Sequence, residues 1–442
     1  MNYCRILFFF AIVFFIIPIS LNARNSVAAA LSGKERVDRD VKNLNIPEGF
    51  SKNLKWDLPL DTVGKNGTEI SWVSDKPEFI SHEGKLLKLS PRGGKKVKVT
   101  LTAHIKGEKY SKKKSFPLYI AFEEPKYEGY LFAYFEGRGE GKLQEQLRFG
   151  VSADAVNWFA LNNNRPVLSS DKIAQTGGIR DPYIMRAEDE KTFYMVATDM
   201  FTIQNGWDRN PGIVMLRSNN LTDWQHSIID LATLYPEKFG NVKWVWAPQV
   251  IYDPVENKYM IYFTIRFNGE NNLDFYYAYA NDDFTGFTEE PKLMFRAKYG
   301  AIDGDIIYKD GIYHFFYKGN TKDEKGKEIK NGIQQAIGTS LKGPWEEDFK
   351  YLDAYAGKTV VEGSSIFKLN DSNTYILMYD LYANGRYEFQ RSIDLYNFTQ
   401  TPESFTKNFY PRHGSVISIT AEEAIRLNEK WEGVLEELLI RN

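Results

Sequence analysis

Five times along the chain a short leading strand runs into a hydrophobic stretch and then into a turn of the S-x-D-L-x-x-W kind. The leading strands read R-D-P-Y-I-M from Arg180, W-A-P-Q-V-I-Y from Trp246, I-D-G-D-I-I-Y from Ile302, V-E-G-S-S-I-F from Val361 and R-H-G-S-V-I-S from Arg412, and they start about 50 to 66 residues apart. Aromatic second strands follow four of them, at Thr192, Lys258, Ile312 and Thr374, and the turns fall at 152–158, 218–224, 281–287, 339–345 and 392–398. A period of this size, built from short strands, implies a five-bladed β-propeller, because each repeat buries its faces only against its neighbours. The fold class expected is all-β. The first turn has no leading strand before it, since the run from Tyr130 already reads as a second strand, and the last leading strand has no second strand behind it. The two leftovers complement each other, so the C-terminal strand is expected to close the first blade.

Upstream the pattern changes. From 46 to 123 short alternating runs, such as T-E-I-S-W-V-S from Thr68 and K-V-K-V-T-L-T-A-H-I from Lys96, are punctuated by Asn66-Gly67 and Gly93-Gly94. Period-two alternation at this spacing argues for a small β-sandwich. The stretch I-S-W-V-S-D-K-P-E-F-I-S-H-E-G-K from Ile70 resembles the bacterial immunoglobulin-like modules appended to secreted enzymes. The Lys-rich region 84–114 reads as a solvated sheet edge. Arg5 followed by the apolar run 6–21 and then Ala23 reads as a signal peptide over 1–23, too short for a spanning helix. Residues 24–45 are polar and read as a linker, 127–420 as the propeller, and 421–442 as a C-terminal helix. The layout implies export to the periplasm, medium or cell surface, with no membrane span once the leader is removed. Cys4 is the single cysteine and lies in that leader, so the mature chain has neither disulfides nor thiol chemistry. A net charge of −2 gives no reason to invoke nucleic acid. Nothing in the pattern specifies an oligomeric state.

The innermost strands of a propeller converge on one axis. Asp181, Asp303 and Glu362, read at equivalent positions of their repeats, should therefore meet although far apart in sequence. Carboxylates desolvated there need a partner or a task. Three of them suit hydrolysis of a glycosidic bond, which requires an acid for the leaving oxygen and a base or nucleophile opposite. The third can hold a proton on the acid by like-charge repulsion. Strand capping, or a shared central cation, is the structural alternative.

Across 127–420 these motifs resemble glycoside hydrolase family 43, five-bladed enzymes of arabinose- and xylose-containing glycans. The resemblance implies that Asp181 in R-D-P-Y-I is the general base, Asp303 in A-I-D-G-D-I-I the pKa-tuning aspartate and Glu362 in V-E-G-S-S-I-F the general acid of an inverting hydrolase. The family's I-D-P is I-D-G here, and Asp305 is a rival, since alternation places it on the same face as Asp303. Asp303 is preferred because it stands as far from Ile306 as Asp181 does from Ile184. W-A-P-Q and P-R-H-G-S-V are similar to the family's second-blade and closing strands. Trp246 reads as a sugar platform or as a propeller-core tryptophan. By the same resemblance Arg386 in Y-A-N-G-R-Y would be the arginine near sugar and acid, with Arg391 in the repeated turn as its rival, and His413 an axial residue beside a structural calcium ion or its waters, with a core hydrogen-bonding role as the alternative. No cofactor is required for the chemistry. The function implied is an exported exo-glycosidase that removes α-L-arabinofuranosyl groups from plant-type polysaccharides, with loops such as 201–211 and 322–331 walling the pocket. Release of xylose or galactose, and a non-catalytic glycan-binding propeller, are the alternatives. A retaining fructan hydrolase is disfavoured because its N-D-P-N-G-like box is missing.

Overall fold

Strict alternation in E-I-S-W-V-S buries Ile70, Trp72 and Ser74 on one face of strand β1 (Glu69–Ser74). With β2 (Lys98–Lys106) and β3 (Ser111–Tyr119) it forms an antiparallel sheet of order β1-β2-β3. The computed structural model describes residues 31–137, 141–322, 328–356, 359–401 and 405–433. The leader expected over 1–23 lies outside the described residues, as does the last stretch of the tail. No helix among the described residues is long and apolar enough to cross a membrane.

The stretch read as a linker is corrected by helix α1 (Gly33–Asn43). Ser32 and Glu35 form a reciprocal capping box at its start. Val37 is fully buried in the core beneath the sheet. The polarity of this segment hid its narrow apolar face, which Val37, Val41 and Leu44 supply. Lys114 donates to the carbonyls of Val41 and Leu44 at 2.9 and 2.6 Å, so part of the Lys-rich region caps a helix end rather than facing water.

Five further sheets follow. The first to form along the chain has the order β10-β9-β8-β7, from β7 (Ile179–Arg186), β8 (Phe193–Asp199), β9 (Gly212–Ser218) and β10 (Gln225–Asp230). The next is β11 (Val242–Asp253), β12 (Lys258–Phe267), β13 (Asp274–Tyr279) and β14 (Lys292–Phe295). Then come β15 (Ala301–Lys309), β16 (Ile312–Lys322), β17 (Glu328–Gly338) and β18 (Glu346–Glu347), and β19 (Glu362–Lys368), β20 (Tyr375–Leu381), β21 (Arg386–Ser392) and β22 (Thr399–Gln400). The fifth joins both ends of the region: β4 (Gly129–Tyr134), β5 (Arg148–Ser152) and β6 (Asn157–Ala160) with β23 (Thr406–Lys407) and β24 (Ser415–Ile419). Strand β24 pairs antiparallel with β4, Ser415 opposite Ala133, as the two leftover strands required. Each leading strand lies against the next, β7 on β11, β11 on β15, β15 on β19, β19 on β24, and β24 on β7. Apolar side chains fill a wedge between each pair of neighbouring sheets. Helix α2 (Ala421–Trp431) covers one wedge with Ala424, Leu427 and Trp431.

The repeated turn has a physical basis. Asp154, Asn220 and Asp394 each accept the two backbone N–H groups two and three residues ahead. The next residue, Ala155, Leu221 or Leu395, is left-handed at φ 61°, 69° or 64°. The indole N–H of Trp158 and of Trp224 then closes on the carbonyl of that residue. These side-chain-to-backbone bonds make the motif a turn in any context.

The segment 53–56, ahead of β1, docks on the far ends of the leading strands. Trp56 stacks on Tyr252 at 6.5 Å and meets Tyr308 edge-on at 5.7 Å, while Asn53 and Lys55 both reach Glu188. Six residues of one strand separate Tyr252 from Trp246, about 20 Å at strand rise. Trp56→Ala is expected to destabilise the protein by about 2 kcal/mol through the lost aromatic contacts. A lower thermal midpoint with unchanged kcat at 25 °C is the result to look for.

Candidate active site

One irregularity recurs at the head of every leading strand. Pairing breaks between Arg180 and Tyr183, Trp246 and Gln249, Ile302 and Asp305, and Glu362 and Ser365. In each gap the first unpaired residue is left-handed: Asp181 at φ 51°, Ala247 at 46°, Asp303 at 54° and Gly363 at 65°. The closing strand repeats the spacing, since the Arg412 N–H donates to Phe135 and pairing resumes at Ser415. Asp181, Ala247, Asp303, Gly363 and His413 thus share one position, and Arg180, Trp246, Ile302, Glu362 and Arg412 share the one before it.

This corrects the expected equivalence of the three carboxylates. Asp181 and Asp303 are equivalent; Glu362 stands one residue earlier. Glycine takes the axial position beside it because a Cβ on Gly363 would sit 2.8 Å from the Cβ of His413. The inserted pair also separates Asp303 from Asp305. Simple alternation put both on one face, but Asp303 lines a cavity with Asp181 and Glu362, whereas Asp305 accepts the Ile366 N–H at 2.8 Å and the Tyr183 hydroxyl at 3.2 Å behind it. Burial pushes Asp305 up to about 7 there.

The axial groups form one charge cluster. His413, 5% exposed, places Nδ1 3.4 Å from Asp181 Oδ1 and 3.8 Å from Asp303 Oδ1. Burial opposes its charge, but Asp303, Asp181 and Glu362 outweigh that and raise it to about 9. Burial likewise opposes the Asp181 carboxylate, yet His413, Arg180 and the Thr198 hydroxyl, 2.9 Å away, hold it below the usual value. Asp303 goes the other way, to about 6, because burial and the charges of Glu362 and Asp181 exceed the help of His413 and Lys318. Its Oδ2 accepts the Gly363 N–H at 2.9 Å.

Both oxygens of Glu362 are held by cations, Oε1 by Arg412 and Oε2 by Lys318 at 3.2 Å. Arg412 is braced in turn by Asp380, which burial raises to about 7 despite that guanidinium. Lys318 and Asp380 sit opposite Ile302 and Glu362 on the second strands β16 and β20. Trp246 stacks on Trp244 at 4.1 Å, donates its indole N–H to Asn210 at 2.8 Å and lines the cavity. Arg386 does not reach it. It is exposed on β21, two strands and about 10 Å out from β19, and pairs with Leu381. The arginine beside Glu362 is Arg412, visible in sequence only once the leading strands are aligned on the residue before the axial one. Asp199, a polar strand end, clamps the backbone of Gln175 and Thr176 instead.

The cavity measures about 60 Å³ and is lined by Arg180, Asp181, Met200, Trp207, Trp246, Ile302, Asp303 and Glu362. A larger opening of about 760 Å³, near Arg186, Asn370 and Ser418, lies toward the other ends of β19 and β24 and gathers none of these carboxylates. No group of three His, Cys, Asp or Glu among the described residues is placed to hold a metal ion, so the calcium implied beside His413 would rest on that imidazole and on waters. His413, raised to about 9 by the carboxylates around it, is the cationic group of this cluster. Because its value in the fold lies above the ordinary 6.5, its contribution to stability is complete below about pH 6.5 and is lost as pH rises to about 9. His413→Gln should therefore lack a decline in stability, on the order of 1 kcal/mol per pH unit, that the parent protein shows over that window in thermal melts.

Comparison with known proteins adds three findings. Residues 125–424 match the family model described as a probable glycosyl hydrolase domain, related to glycosyl hydrolase family 43, and residues 37–123 match that of an atrophied bacterial Ig domain. The chain is 25% identical over 422 residues to an α-L-arabinofuranosidase of Bifidobacterium longum subsp. longum, covering 82% of this chain and 38% of that protein. The chain thus spans well under half the length of this curated relative. Solved structures similar to it include an α-L-arabinofuranosidase of Clostridium thermocellum, 11% identical over 72% of this chain and 92% of that one with a TM-score of 0.44. An endo-arabinase of Bacteroides thetaiotaomicron is 15% identical over 67% and 95%, with a TM-score of 0.42.

Proposed function

The chain belongs to the family of probable glycosyl hydrolase domains related to glycoside hydrolase family 43, and from that premise we propose that it is an inverting exo-glycosidase built on a five-bladed propeller. The observation that carries this reading is the convergence of Asp181, Asp303 and Glu362 on one small cavity from three different sheets. The five sheets are the blades, and in four of them a left-handed residue breaks the pairing at the head of the leading strand.

In this mechanism Asp181, kept ionised by His413 and Arg180, takes a proton from a water that attacks the anomeric carbon. Glu362 donates its proton to the departing oxygen on the opposite side. Asp303, raised by burial and by the charge of Glu362, is the tuning aspartate of this mechanism. Trp246 forms an apolar wall for the sugar ring. Arg412 and Lys318 position Glu362.

The terminal sugar is L-arabinofuranose in this reading, a choice supported by the name of the Bifidobacterium longum relative. Exo action is part of this reading because the 201–211 loop, through Trp207, walls one side of the cavity. The immunoglobulin-like module supports work outside the cytoplasm, on extracellular glycan. Purified protein assayed on aryl α-L-arabinofuranoside, β-xyloside and galactoside, with the product anomer followed by NMR, tests the proposal. An inverted arabinose product is expected; retention of configuration, or no turnover of any substrate, would overturn it.

A further inference from the structure

Trp207 lines the same cavity as Asp181 and Glu362, yet it is 60% exposed. At the mouth of a site lined by three carboxylates, this exposed indole offers apolar area that a bound ligand can cover. The segment carrying it is anchored on both sides. Before it, Thr202 donates its N–H at 2.6 Å and its hydroxyl at 2.5 Å to the buried Glu145. After it, Asn210 is bonded through its backbone to Lys243 and Val245, and through its side chain to Trp246. The Trp244 indole also donates to the Asp208 carbonyl at 3.2 Å.

The ring itself is oriented. The Arg180 guanidinium lies 5.0 Å over one face, and Trp246 meets it edge-on at 6.2 Å and 78°. Arg180 is in turn fixed by Glu145 at 2.6 Å and by the Phe135 ring. One face is backed by a cation, one edge is held by an indole, and the remaining face is open.

We propose that this open face is the leaving-group subsite, on which the first pyranose ring of the departing glycan stacks with its C–H face down. The inference rests on the glycosidase reading above. The sugar that is released lies against Asp181, Asp303 and Glu362, so the ring on the other side of the cleaved bond lies farther out, where Trp207 is exposed. An indole offers a flat surface that matches the axial C–H groups of a six-membered ring, and binding energy gained there can be used at the reacting centre. Trp207 is then a positioning residue that selects substrates by what the sugar is attached to.

The test compares a matched pair of substrates of whichever sugar the protein releases: the glycoside of a xylo-oligosaccharide and the methyl glycoside, which has no leaving-group ring. Trp207→Ala should lower kcat/KM on the oligosaccharide about 10- to 100-fold and on the methyl glycoside less than about threefold. Trp207→Phe should restore most of the loss. An equal fall on both substrates, or no fall on either, would overturn the proposal. If the parent protein turns over neither, the glycosidase reading fails on its own, and calorimetric titration with the unsubstituted xylo-oligosaccharide decides the subsite. Binding by the parent that weakens at least tenfold in Trp207→Ala supports it; no binding, or equal binding, overturns it.

Discussion

Glutamine in place of Glu362 is expected to cut kcat on natural glycans by about 10³-fold, with the fold intact. Glutamine keeps the size of the side chain, but its one carbonyl oxygen can take the place of only one of the two oxygens that accept from Arg412 and Lys318, and it has no acidic proton to give. The defect should therefore scale with the leaving group. An alkoxide of a sugar hydroxyl needs protonation as the bond breaks, whereas a nitrophenolate departs unaided. Rates on a series of aryl glycosides should depend steeply on leaving-group acidity in the variant and weakly in the parent. A variant with unchanged activity on oligosaccharide, or with equal losses across the series, would remove Glu362 from the acid role. Because Glu362 also anchors two cations, a thermal melt should accompany the kinetics.

Asparagine in place of Asp181 should be at least as damaging, by roughly 10³- to 10⁴-fold, and uniform across leaving groups. The attacking water loses its base whatever departs. The contrast with Glu362→Gln is the informative part: one variant is selective by leaving group and the other is not. The change also removes a charge facing His413, whose raised value depends on Asp303 and Asp181 together. The imidazole of Asp181→Asn should accordingly titrate below about 9, a shift readable by NMR independently of turnover. Wild-type rates on activated aryl substrates in Asp181→Asn would refute the assignment.

Much of this was legible in the chain. The period and the complementary leftover strands led to five sheets and to the pairing of β24 with β4. The D-P, I-D and E-G motifs pointed to the carboxylates that share the cavity. Less legible was anything that depends on how a strand begins. Alternation is a rule for paired residues, and the two unpaired residues at the head of each leading strand break it. Hence alternation places Glu362 in register with Asp181 although Gly363 holds that position, and it leaves Asp303 and Asp305 on one face, so that only the spacing to Ile306 favours Asp303. The arginine was sought at Arg386 for a similar reason: proximity in a repeat says which sheet a residue joins, not how far out its strand lies. Helix α1 was missed because its apolar face is only a few residues wide in a polar stretch.

By itself the sequence determined the number of repeats, the order of the sheets and the kinds of group available for chemistry, because hydrophobic periodicity and local turn bonds are written within a few residues of one another. Only the tertiary structure decided which of those groups face each other. The charge of His413, the opposite shifts of Asp181 and Asp303, the grip of Arg412 and Lys318 on Glu362, and the open face of Trp207 all arise between strands tens to hundreds of residues apart. Burial and Coulomb interaction act through space, so no run of a few residues records which distant groups they will join.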